Sequence, residues 1–143
     1  MKFSELSAEG WAELAPYLDT AVLPVTGLTG EEMPYEATAK LERLRDVLDL
    51  IEIPFKGRIV TYPACQYGEW TPAFQGQLQH ICANLRQAGF KHVVVVAAVH
   101  VPTDVEQGGE SGADLIIGPA EDGQLPTAAE VSEAVRKLWL GRA

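Results

Sequence analysis

The chain has 143 residues, with 11 Lys and Arg against 20 Asp and Glu, a formal net charge of −9. Hydrophobic residues make up 47% and charged residues 22%, a globular balance that excludes disordered and collagen-like chains and predicts one domain with its own core. The acidity excludes duplex nucleic acid as a partner, since that affinity comes from Lys and Arg on phosphates. No apolar run approaches the roughly 20 residues of a membrane helix. The opening MKFSELSAEG turns polar where a secretory signal needs an apolar stretch. A cytoplasmic protein without membrane contact is expected, with Cys65 and Cys82 as reduced thiols.

In chain order, Ser7 is a fitting N-cap for a helix to about Leu18, followed by an apolar strand over Ala21–Val25. A second helix spans Tyr35–Leu50, where Leu41, Leu44, Leu48 and Ile51 form one buried stripe, and Pro54 ends it. Gly57–Tyr62 reads as the second strand. Phe74, Leu78, Ile81, Cys82 and Leu85 line a third helix that stops at Gly89. His92–Ala98 (HVVVVAA) is the most apolar run and reads as a central parallel strand covered on both faces. Asp114–Ile117 is the fourth strand, closed by Gly118 and Pro119. Thr127 and Glu130 form a capping box for a last helix to about Leu140 that buries Val131, Val135 and Leu138. The polar, Gly-rich Val101–Gly112 stretch reads as a mobile loop. Alternating strands and helices predict an α/β fold of three layers, about four mostly parallel strands flanked by helices.

In such a sheet, ligands bind beyond the carboxyl ends of the strands. The loops there, Thr26–Glu32, Pro63–Glu69, His100–Asp104 and Pro119–Asp122, offer Glu31, Glu32, Glu69, Asp104, Glu121, Asp122, His100 and Cys65. These are oxygen, nitrogen and sulfur donors of the kind that hold metals. The plainer reading is that loop carboxylates are solvated and favour helix N-termini. Likewise a His after a central strand is more often held by a backbone carbonyl than by a metal. Nothing near Cys65 supplies the lowered pKa a nucleophile needs. The glycines of VTGLTGEE lack the spacing of a phosphate loop, and Glu31 and Glu32 would repel an anion there. Trp70, beside Tyr67 in YGEWTPAF, reads as packing first and as a cleft or partner surface second.

The order of motifs resembles the creatininase (creatinine amidohydrolase) superfamily: LPVTG at Leu23–Gly27, YPACQYG at Tyr62–Gly68, FQG at Phe74–Gly76, and AGFKHVVVVAAVH at Ala88–His100. The pieces YLDTAVLP (Tyr17–Pro24) and FKGRIVTYP (Phe55–Pro63) are similar to a short, uncharacterised Bacillus-type family, the YpiF-like proteins. The superfamily resemblance implies two divalent metals held by a Glu and a His after the first strand, an Asp following them, and a His and Glu after the apolar strand. Laid on this chain, the Glu position falls on Thr29 and the His position on Glu31, and no Asp follows before Asp46. After the apolar strand only His100 matches, and the acidic position falls on Pro102. One matched ligand cannot fix two metals and activate a bridging water.

The resulting expectation is a creatininase-like domain without the metal set, a non-catalytic pseudoenzyme that takes a protein partner or small ligand and needs no cofactor. Its candidate cleft comprises Thr29, Glu31, Cys65, Tyr67, Glu69, Trp70, His100 and Asp104. The alternative is a hydrolase with a mononuclear zinc or manganese site on His100 with Glu31 and Glu69 or Asp104. A homo-oligomer suits the architecture.

Overall fold

The computed structural model describes residues 1–101 and 111–141. Strands β1 (Thr20–Leu28), β2 (Ile59–Thr61), β3 (Cys65–Tyr67), β4 (His92–Ala97) and β5 (Leu115–Ile117) form one sheet in the order β2-β1-β4-β5. Every pairing is parallel, and β3 also pairs with β1. Helices α1 (Ala8–Leu14), α2 (Pro34–Glu52), α3 (Pro72–Gln87) and α4 (Ala128–Trp139) follow the alternation expected for parallel strands. The three-layer α/β expectation therefore holds, with five strands in place of four.

The layers follow from the period of two along the strands. Val22, Val94, Val96 and Ile117 share one apolar cluster with Leu44, Val47, Leu48 and Ile51 of α2 and Val131, Val135 and Leu138 of α4. Ala21, Leu23, Val25, Val93 and Val95 face the other way, onto Phe74, Leu78 and Cys82 of α3 and, beside them, Trp11 and Leu14 of α1. Leu41, expected in the buried stripe of α2, is 42% exposed, and Val47 takes its place with no exposure. Leu44, Leu48 and Ile51 keep the expected stripe, which packs on both the sheet and α4.

The remaining differences have local causes. α1 ends at Leu14, short of Leu18, because Pro16 lacks the N–H that would continue the helix. β1 runs through Leu28 with every residue buried, absorbing Thr26 and Gly27 that were read as loop. β2 and β3 are one edge strand broken in the middle. Alternate residues of β1 face it: Thr20 N–H donates to Arg58 O and Val22 O accepts from Tyr62 N–H. The next such residue is Pro24, which has no N–H to give, and the break opposite it contains Pro63. Pairing resumes at Val25 with Cys65 and continues to Leu28 with Tyr67. The segment read as the loop Pro63–Glu69 is therefore partly strand.

The caps form as the sequence predicts. Ser7 Oγ accepts from Gly10 N–H, while Thr127 and Glu130 exchange hydrogen bonds of 3.0 and 3.1 Å. Gly89, at φ +120°, closes α3 with Gly89 N–H to Arg86 O and Phe90 N–H to Leu85 O, the left-handed helix stop that glycine favours. At the amino ends of the strands, Arg58 pairs with both carboxylate oxygens of Asp19 at 3.0 and 3.1 Å and lies 3.9 Å over the Trp139 ring. Trp139 Nε1 donates to Thr20 Oγ1, tying α4 to the foot of β1. Burial alone would raise the Asp19 pKa, but the hydrogen bonds from Arg58 and Thr20 and the Arg58 charge bring it below the ordinary value. No helix among the described residues is long and apolar enough to cross a membrane.

Candidate functional site

Because all strands run the same way, their carboxyl ends meet on one rim. A cleft of about 340 Å³ opens there between the ends of β4 and β5 and the start of α4. Its walls are His100, the Gly118–Ala120 backbone, Gln124, Leu125, Pro126, Thr127 and Glu130. A smaller hollow of about 290 Å³ lies between α2 and the end of β4, against Glu36, Lys40, Arg43, Ala98 and Val99.

His100 is placed by the end of the central strand, three residues beyond Ala97, the last residue of β4 to pair with β1. Its Nδ1 lies 3.0 Å from Pro119 O. A carbonyl only accepts, so Nδ1 carries a proton and donates it to this bond. The backbone-carbonyl reading of this His is the observed one, and it leaves Nε2 as the ring nitrogen outside that bond. Across the cleft, Glu130 Oε1 accepts from Thr127 N–H. The bonds from the Thr127 backbone and hydroxyl hold its carboxyl below the ordinary pKa, so it stays ionised at neutral pH. The loop joining β5 to this helix is fixed by its own turn: Ala120 N–H to Gln124 O, Gly123 N–H to Ala120 O, and Gln124 N–H to Asp122 Oδ1.

After β1 the loop is organised by Glu32. Its carboxylate accepts from the N–H groups of Thr29 and Gly30 and the Thr29 hydroxyl, and Lys40 Nζ lies 2.7 Å away. Lys40 also donates to Gly27 O at 3.2 Å. The Lys40 hydrogen bond, and then the Thr29 backbone, push the Glu32 pKa from 4.5 down to about 2, overcoming the opposing effect of burial. This carboxylate is a loop staple. Gly30, at φ +95°, makes the turn that brings it back onto its own chain.

The structure distributes the other sequence candidates around the rim without assembling them. Thr29 is committed to Glu32, while Glu31 and Glu69 are exposed. Cys65 and Tyr67 sit on β3 and not on a loop, with Tyr67 67% exposed. Burial raises the Cys65 thiol above its ordinary pKa, the opposite of what a nucleophile needs, and pushes Cys82 to about 11. Both cysteines are free thiols, as expected. Trp70 packs edge-on against Phe74 at 5.5 Å and against Val101, which places it with the core on the α3 face. Asp104 and most of the Val101–Gly112 loop lie outside the described residues. Among the described residues no three His, Cys, Asp or Glu side chains come together in a group able to hold a metal, so the set His100, Glu31 and Glu69 is not gathered.

The cleft residues that sequence reasoning missed are Gln124 and, as cleft lining, Thr127 and Glu130. The capping box was legible, but its position against the end of β4 depends on where β5 enters the sheet.

The fold and rim define an α/β protein with a parallel sheet and a cleft of mixed lining at its strand ends. The chain belongs to a family described as proteins of unknown function, DUF2487, which it matches over residues 9–125. No curated protein and no solved structure matches it significantly.

Proposed function

We propose that this chain is a cytoplasmic, non-catalytic domain that binds a small donor-bearing ligand in the cleft between His100 and Glu130. The observation that carries the reading is the Nδ1 bond of His100 to Pro119 O, which in the neutral tautomer leaves Nε2 to accept from a ligand. Glu130 has one carboxylate oxygen beyond the helix cap and remains ionised, so the cleft pairs two acceptors with an apolar lining from Leu125 and Pro126. Such a site suits a compact amide, urea or guanidine, whose N–H groups satisfy both acceptors. Its volume, near the lower end of ligand pockets, sets the size. We further read the scaffold as a creatininase-like sheet whose metal positions have been reassigned. The resemblance places its ligands at Thr29, Glu31 and His100, and here Thr29 serves the Glu32 staple while His100 serves the backbone.

The test is an amide-by-amide NMR titration of labelled protein with a panel of small amides and guanidines. Saturable shifts confined to His100, Ala120, Gln124 and Thr127, weakened at least tenfold by His100→Ala, are expected. Shifts elsewhere, an unaffected His100→Ala variant, or hydrolysis of the probe would refute the reading.

A further inference from the structure

β5 is the last strand of the sheet order among the described residues, and its three residues are apolar, Leu115 and Ile116 half-buried and Ile117 buried. The hydrogen-bond alternation shows which groups it presents. Ala98 N–H donates to Val25 O, so Ala98, Val96 and Val94 turn their backbone toward β1, and Val93 and Val95 turn theirs toward β5. With Leu115 opposite Val94 and Ile117 opposite Val96, it is Leu115 and Ile117 that bond to β4. The N–H and C=O of Ile116 then face outward. Among the described residues no strand lies beyond them.

Beside this edge runs a shallow apolar groove of about 150 Å³ lined by β5, Pro126, Glu130, Val131 and Ala134. The side of α4 bordering it therefore carries Glu130, Val131 and Ala134, while Lys137 borders the neighbouring groove of α4 and pairs with Glu133 at 3.2 Å. Charge along α4 is divided, with Glu130 and Glu133 in its first half and Arg136 and Lys137 in its second. A helix so divided is complementary to itself when antiparallel, and a small residue at its middle lets two such helices approach.

We propose that the chain associates with a second copy of itself through β5. The two Ile116 backbones exchange both N–H···O=C bonds across a two-fold axis, and the α4 helices lie antiparallel beside them. This geometry places Ala134 against Ala134 near the axis, with the acidic first half of each α4 beside the basic second half of the other. Two short edges become one continuous sheet, which removes an apolar edge that would otherwise recruit any extended chain. The occupant follows from symmetry: an isologous contact needs one patch that fits itself, and this patch has the strand polarity, the small central residue and the charge division to do so.

The experiment is sedimentation velocity on the full chain at about 50 µM, where a micromolar dimer is largely associated. The wild type is expected at twice the 15.5 kDa chain mass. Ile116→Pro removes the outward N–H and leaves the ladder to β4 intact, and is expected to dissociate at least tenfold more readily. Ala134→Arg and Ala134→Glu each put like charges on the axis and are expected to be folded monomers by circular dichroism, while their equimolar mixture returns to dimer. A wild type that sediments as a monomer overturns the proposal. So does a dimer indifferent to both Ala134 variants, or a mixture of folded variants that stays monomeric. If Ile116→Pro does not fold, the Ala134 pair decides alone.

Discussion

Gly68→Ala tests how tightly the rim is built. A Cβ on Gly68 would lie 2.2 Å from Phe74 Cε1, 2.5 Å from Cδ1 and 2.7 Å from Cζ. Ordinary contact begins near 3.4 Å, so the ring must retreat by more than 1 Å. Phe74 cannot do so freely, because it is only 6% exposed and is packed edge-on by Trp70. Overpacking of this kind costs about 1–3 kcal/mol, and for a chain of this length each kcal/mol lowers Tm by roughly 2–4 °C. A loss of roughly 2–12 °C is therefore expected in a thermal melt, together with a change in tryptophan emission as Trp70 is displaced. Two controls bracket the effect. Gly57→Ala meets nothing within 4 Å and is expected to be neutral. Gly76→Ala, also unobstructed and inside α3, is expected to stabilise by about 0.5–1 kcal/mol. A Gly68→Ala melt within 1 °C of wild type, with Gly57→Ala unchanged, would refute the packing argument.

The Glu32 staple gives a pH signature. Its folded pKa lies below its unfolded value, so the stabilisation is present above about 4.5 and is lost as pH falls toward about 2. The Tm difference between wild type and Glu32→Gln should shrink across that interval, and a difference constant down to pH 2 would contradict it. Thiol titration with a chromogenic disulfide at neutral pH should find Cys82 unreactive and Cys65 slow in the native protein, with both reacting in denaturant. Fast native labelling of Cys65 would reopen it as a nucleophile. Elemental analysis of untagged protein prepared without chelator should give zinc and manganese well below one per chain, and chelator should leave Tm unchanged. A stoichiometric metal lost in His100→Ala would reverse the functional reading.

The layer structure was legible because its signals are local. HVVVV admits no polar face, and Thr127 with Glu130 states a helix start in four residues. β3 was not legible, since Cys65–Tyr67 is half exposed and lacks alternation, and exists as a strand because β1 continues past Pro24 to offer it a partner. The burial of Val47 and exposure of Leu41 likewise depend on tertiary packing, since Val47 shares its cluster with strand residues and with α4, some 90 residues on. At the site, His100 bonded to a backbone carbonyl was the reading its position favoured. Which of two adjacent carboxylates turns inward was undecidable in sequence, because the choice rests on the Gly30 turn and on Lys40 projecting from the second turn of α2.

β1 pairs with β2, β3 and β4, so every strand but β5 waits on it or it on them. Its pairing runs from Thr20 opposite His92, and at roughly 5–20 residues per second a ribosome takes on the order of 4–14 s to make the intervening chain. During that interval nine residues that end fully buried emerge with only the three-residue β2 and β3 to pair with. Pro24 interrupts the ladder only on the edge that β2 and β3 take, and the edge that later receives β4 runs unbroken from Thr20 to Val25. The edge left open during that interval is therefore the one Pro24 does not interrupt, and its protection rests on the prompt arrival of His92–Ala97.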